Sequence, residues 1–116
     1  MTRHDAQDRL HNELFKSTLY DDVPLAEVES VITGNDLAED PADIQQLALT
    51  VIRSLVEDGL MKFKGWDDLD LDSAMDRVRG LFVDHHDDPG AWVFAVWLKA
   101  TELGKQTAQA LTGAAD

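Results

Sequence analysis

The chain predicts a mainly α domain with a small β-hairpin, an α+β class, on three observations. Ile44, Leu47, Ala48, Val51, Ile52, Leu55 and Val56 stand at offsets of 0, 3, 4, 7, 8, 11 and 12, an almost unbroken helical stripe. After Gly59, "LMKFKGW" alternates, with Met61 and Phe63 facing one way and Lys62 and Lys64 the other, which is the period of a strand. "WVFAVWLKA", residues 92–100, is apolar on both faces and reads as a second strand covered on both sides.

The elements follow in order. Residues 5–20 carry Leu10, Leu14 and Leu19, with Phe15 and Tyr20 nearby, the spacing of an amphipathic helix. "DDVP" interrupts it, because Pro24 disfavours helical conformation at Val23. Pro24 suits the first turn of a second helix, with Leu25, Val28, Val31 and Ile32 on one side and Gly34 as its stop. The third helix has a strong start, with Asp40 as N-cap, Pro41 in the first helical position and Asp43 at the positive end of the macrodipole. A capping Asp40 replaced by Ala would cost about 1 kcal/mol. Asp72 is the expected cap of a helix over roughly 73–86, with Met75, Val78, Leu81 and Phe82 as its apolar face and Pro89-Gly90 as its end. Thr101 caps a last helix whose stripe is Leu103, Thr107, Ala110 and Leu111.

Composition narrows the class. A chain of 116 residues with 44% hydrophobic residues supports one core, and its apolar positions are periodic throughout, which argues against disorder. The absence of cysteine removes disulfides, thiolate metal sites and thiol chemistry together. The first thirty residues hold no signal-peptide core, and "AWVFAVWL" is far short of a bilayer span, so the expectation is a soluble cytoplasmic protein with no membrane partner. The net charge of −13 is unevenly placed, since residues 21–60 hold ten acids against one base, Arg53, for a net of −9. A nucleic-acid footprint is basic, so this charge disfavours phosphate.

The order helix, helix, helix, strand, inserted helix, strand, helix resembles a winged helix-turn-helix domain of the bacterial regulator type. Leu55, Gly59 and Leu60 in "LVEDGLM" match that family's junction between third helix and wing, and Thr101 and Gly104 in "ATELGKQTA" match the T-x-x-G that commonly follows its second wing strand. The likeness covers most of residues 10–110. With the chain length read as a single domain over 1–116, it places an inserted wing segment at about 65–90, and the ends at 1–4 and 112–116 are expected to fray. It also implies a third helix that lies in the major groove and a wing that touches phosphates.

Position by position, the groove-facing side would present Gln45, Gln46, Leu49, Thr50 and Arg53. Gln and Arg can pair with base edges, but Glu39, Asp40 and Asp43 crowd the helix start, and Arg53, Lys62, Lys64 and Lys99 are few for an interface that needs six to ten phosphate contacts. The usual basic wing tip gives way to about 25 residues rich in Asp. The preferred expectation is therefore a non-catalytic protein-interaction or regulatory module. Its acidic face, with Glu27, Glu29, Asp36, Glu39, Asp40 and Asp43, would meet a partner protein of basic character. The alternative is a DNA-binding transcriptional regulator, with a homodimer concentrating its basic patch, that uses Gln46, Thr50 and Arg53 with Lys62 and Lys64. A third reading is a small-molecule sensor built around Trp66, Trp92, Phe94 and Trp97, although core packing is the better account of those aromatics.

Neither catalysis nor metal binding follows from the motifs. In "DHHDD", adjacent His85 and His86 would point about 100° apart on a helix, whereas helical chelation needs i,i+4 spacing. An EF-hand started at Asp68 finds Asp70 and Asp72 in place, but meets Ser73 where Gly is needed and Arg79 where Glu is needed. No P-loop, dinucleotide fingerprint or nucleophile–base order is present, and no cofactor is implied.

Overall fold

The computed structural model describes residues 3–18, 21–66, 68–92 and 95–113. The chain runs α1 (Arg3–Thr18), β1 (Val23–Pro24), α2 (Leu25–Gly34), α3 (Pro41–Glu57), β2 (Met61–Phe63), α4 (Leu71–Arg79), a π-helical turn (Gly80–Asp84), α5 (Pro89–Trp92), β3 (Trp97–Ala100) and α6 (Glu102–Gly113). It is mainly helical, with a three-stranded antiparallel sheet in the order β1-β3-β2. Among the described residues no helix is long and apolar enough to cross a membrane.

α3 is the organising helix. Ile44, Leu47, Ala48, Val51, Ile52 and Leu55 are buried as the stripe requires, and Val56 is half-buried. Around it pack Leu10 and Leu14 of α1, Val28 and Ile32 of α2, and Phe82 of the π-helical turn, all fully enclosed. Gly59 closes α3 with φ +77, a left-handed conformation that costs glycine little. Its N–H donates to Val56 O at 3.0 Å and the N–H of Leu60 donates to Leu55 O at 3.0 Å, the paired bonds of a Schellman motif. The chain leaves that turn directly into β2, where Met61 and Phe63 enter the core and Lys62 faces out.

The sheet has a strand more than the expected hairpin. Val23 pairs with Leu98 and Pro24 with Trp97, while Met61, Lys62 and Phe63 pair with Ala100, Lys99 and Leu98. Two residues are too few to show a period of two, so β1 is invisible as a pattern. Pro24 accordingly sits outside the first turn of α2, as its extended N-cap.

Other boundaries move for local reasons. α2 does end at Gly34, but the left-handed residue is Asp36 (φ 54), and the N–H of Leu37 donates back to Ile32 O at 2.9 Å. Asp40 is the N-cap of α3 without any side-chain capping bond. The cap of α4 is Asp70 and not Asp72, since Asp70 Oδ1 accepts from the N–H of Ser73 at 2.7 Å. That backbone bond, with a second from the Ser73 side chain, holds the Asp70 carboxyl below the ordinary 3.8. The helix expected over 73–86 is α4 followed by the π-helical turn, and Pro89-Gly90 opens α5. Met75, Val78 and Phe82 are buried there and Leu81 is half-buried. The strand expected over 92–100 shortens to 97–100, because Trp92 belongs to α5.

Thr101 caps α6 as expected, accepting from the N–H of Gly104 at 2.9 Å, and its own hydroxyl donates to Gly59 O. The stripe of α6 is not a core stripe, however, since Leu103 is 52% exposed and Ala110 is exposed. α1 begins at Arg3 and α6 runs to Gly113. Leu19, Tyr20, Phe94 and the side chain of Leu111 lie outside the described residues.

Candidate functional site

The outward side of α3 is where the sequence points first, and α4 packs against it. Leu49, expected among the groove-facing residues, is only 7% exposed. It lines a cleft between the helices together with Met75 of α4. Leu49 lies off the main stripe, and Ala74, Met75 and Val78 of α4 need an apolar neighbour. Burial of both sets drives the insert onto α3.

The polar residues of the same side are drawn into this contact. Arg53 Nη2 donates to Asp72 Oδ1 at 2.9 Å, and its Nε lies 3.8 Å from Glu57 Oε2. Gln46 Nε2 donates to Thr50 Oγ1 at 3.2 Å, with Gln46 exposed and Thr50 half-buried. A helix already sits along the flank of α3 that would have to enter a DNA groove.

The basic residues of the hairpin lie elsewhere, on the outer face of the sheet. Lys62 and Lys99 are directly opposite each other across β2 and β3, and both are exposed. Like charges in that relation repel. Lys64 Nζ bonds Asp22 Oδ2 at 3.0 Å, so part of this charge is answered within the chain.

The six acidic candidates divide into two groups. Asp36, Glu39, Asp40 and Asp43 are all exposed, spread over the α2–α3 connection and the first turn of α3. None of the four is in an ion pair among the described residues. Glu27 and Glu29 are half-buried and set apart from the other four. Among the described residues Glu27 Oε2 is enclosed without a hydrogen-bond partner, and Glu29 Oε2 lies 2.9 Å from His86 Nε2. The open acidic corner is therefore four residues, not six.

His86 is the contact that sequence reasoning missed. Its ring stacks on Trp92 (centroids 5.3 Å apart, planes 11° apart), Phe82 meets it edge-on, and Trp92 Nε1 donates to His86 O at 3.1 Å. Together with Glu29 these groups tie the far end of the insert to α2. His86 and Glu29 are 57 residues apart, so no local pattern announces the pair. His85 is exposed, and among the described residues no group of three or more His, Cys, Asp or Glu is placed to hold a metal ion.

The tryptophans serve separate parts of the fold. Trp92 is buried. Trp66 is half-buried and stacked on Phe63 (5.1 Å), with the Arg77 guanidinium 4.9 Å from its ring centre, a cation–π contact. Trp97 is half-buried in β3.

No known protein family matches this chain, and no curated protein or solved structure is significantly similar to it.

Proposed function

We propose that this chain is a non-catalytic protein-interaction or regulatory module of winged-helix type, whose acidic corner at Asp36, Glu39, Asp40 and Asp43 receives a basic partner protein. The observation that carries this reading is the packing of α4 along α3, which buries Leu49 and ties Arg53 to Asp72. Val78 and Phe82 of the insert are fully enclosed, so lifting α4 away would open the core itself. The winged-helix assignment is supported by the β1-β3-β2 order around α1, α2 and α3, and by the Gly59 turn that leads into β2.

Four carboxylates on a short stretch of chain, with no ion pair among the described residues, favour encounter with a cationic surface, setting association rate and selectivity more than net affinity. The deciding experiment compares wild type with Asp40→Lys/Asp43→Lys in affinity capture from nuclease-treated host lysate. Loss of a stoichiometric protein partner in the variant, with that partner retained by Asp8→Lys, supports the assignment. Equal capture by all three proteins refutes the acidic corner as the contact.

A second reading, a DNA-binding regulator, draws on the apposition of Lys62 and Lys99 beside Lys64. On that reading Asp43→Lys strengthens binding of a labelled duplex at low salt and Arg53→Ala weakens it. On the preferred reading the wild-type chain does not retard the duplex.

A further inference from the structure

We infer that the cleft between α3 and α4 is a binding site for a zwitterionic small molecule of the α-amino-acid class with an aliphatic side chain. The inference goes beyond the protein-interaction reading and does not depend on it. The cleft has a volume of about 340 Å³, within the range of small-ligand sites. Its apolar lining comes from Leu49 and Met75, two nearly buried side chains that meet from opposite helices.

The polar groups are matched to a molecule that carries both charges. Of the four charged side chains lining the cleft, Arg53 and Asp72 neutralise each other at 2.9 Å. The other two, Asp76 and Arg79, have no side-chain partner among the described residues, although they lie three positions apart on α4. That spacing puts their Cβ atoms about 5–6 Å apart on one helical face. Arg79 can take a carboxylate through two parallel N–H bonds, and Asp76 can accept from an ammonium group close by. Across the cleft Gln46 spends an amide N–H on Thr50, which leaves the Gln46 carbonyl as an acceptor and the Thr50 hydroxyl as a donor. An anion alone would meet Asp76, and a cation alone would meet Arg79. A zwitterion satisfies both and lays its side chain on Leu49 and Met75.

The cleft is half open, so affinity is modest, with a Kd on the order of 1 mM when much of the ligand surface stays wet. The test is calorimetric titration of the full chain with L-leucine, L-methionine and glycine, and with two singly charged analogues, N-acetyl-L-leucine and L-leucinamide. The expected result is saturable binding of leucine and methionine, at least about tenfold weaker binding of glycine and of both analogues, and a similar loss in Asp76→Ala and Arg79→Ala. These two residues are exposed, so unchanged unfolding midpoints in the variants would exclude a folding defect. In the combined variant Asp76→Lys with Arg79→Asp, binding recovers with the ligand reversed, whereas either of these changes alone abolishes it. Absence of saturation with every amino acid to tens of millimolar overturns the inference, as does binding that is indifferent to Arg79→Ala.

Discussion

Gly104 is the position at which a single methyl group should do the most damage for its size. A Cβ built there falls on the backbone of Leu60, overlapping its carbonyl oxygen and standing 2.9 Å from the carbonyl carbon and 3.3 Å from Cα. None of those atoms is the flexible end of a side chain. Leu60 is held by its bond to Leu55 O, and its own carbonyl accepts from the N–H of Thr101 at 3.1 Å. The first turn of α6 is pinned on the other side by the Thr101 cap. Gly104→Ala must therefore push α6 off the Gly59 turn.

Overpacking of this kind costs roughly 1–3 kcal/mol, and the gain in helix propensity of about 1 kcal/mol offsets part of it. With backbone atoms as the obstacle the upper end applies, so a net loss of about 2 kcal/mol is expected. For 116 residues this lowers the melting temperature by about 8 °C. It lowers the urea midpoint by about 1–2 M. Tryptophan fluorescence reports the transition. Gly80→Ala is the matched control, because Gly80 has helical dihedrals and, among the described residues, nothing beyond its own helix backbone lies within 4 Å of a new Cβ. There the propensity term acts alone and stability rises by about 0.5–1 kcal/mol. A Gly104→Ala protein as stable as wild type would refute the close approach of α6 to Leu60.

The caps of α3 and α4 separate in the same assay. Asp70→Ala destabilises the fold, whereas Asp40→Ala, with no capping bond to lose, stays below about 0.5 kcal/mol. The Asp70 contribution also depends on pH: its folded carboxyl is lowered, so the stabilisation is whole above pH 3.8 and is lost as pH falls through the lowered value. Wild type should lose stability over that acid range and Asp70→Asn should lose less, as read from urea midpoints at successive pH values. Phe82→Ala removes a fully buried ring and should cost about 3–5 kcal/mol, while Leu103→Ala, half exposed on α6, should stay within about 0.5 kcal/mol. Arg53→Ala breaks an exposed pair and should cost no more than about 1 kcal/mol in thermal unfolding.

Much of this molecule is legible from short stretches of chain. The seven-residue stripe of α3 names its buried face, because a helix repeats every 3.6 residues and the apolar set recurs with it. Gly59 announces the end of α3, since few other residues hold a left-handed turn without strain. Thr101 announces α6, because a hydroxyl at the cap is a local requirement. The acidic corner is likewise written within one short stretch, at residues 36, 39, 40 and 43.

What only the tertiary structure decided are the relations between distant stretches. β1 exists because Val23 finds Leu98, not because two residues make a strand pattern. α6 has a periodic stripe on which Leu103 and Ala110 stay exposed, since periodicity names a face but not its neighbour. Leu49 reads as part of a solvated flank until α4 lies on it, and Glu29 reads as surface charge until His86 arrives from the insert. Local sequence sets which groups are apolar, capped or charged. Which of them meet depends on one shared core being filled from every element at once, and that is a property of the whole chain.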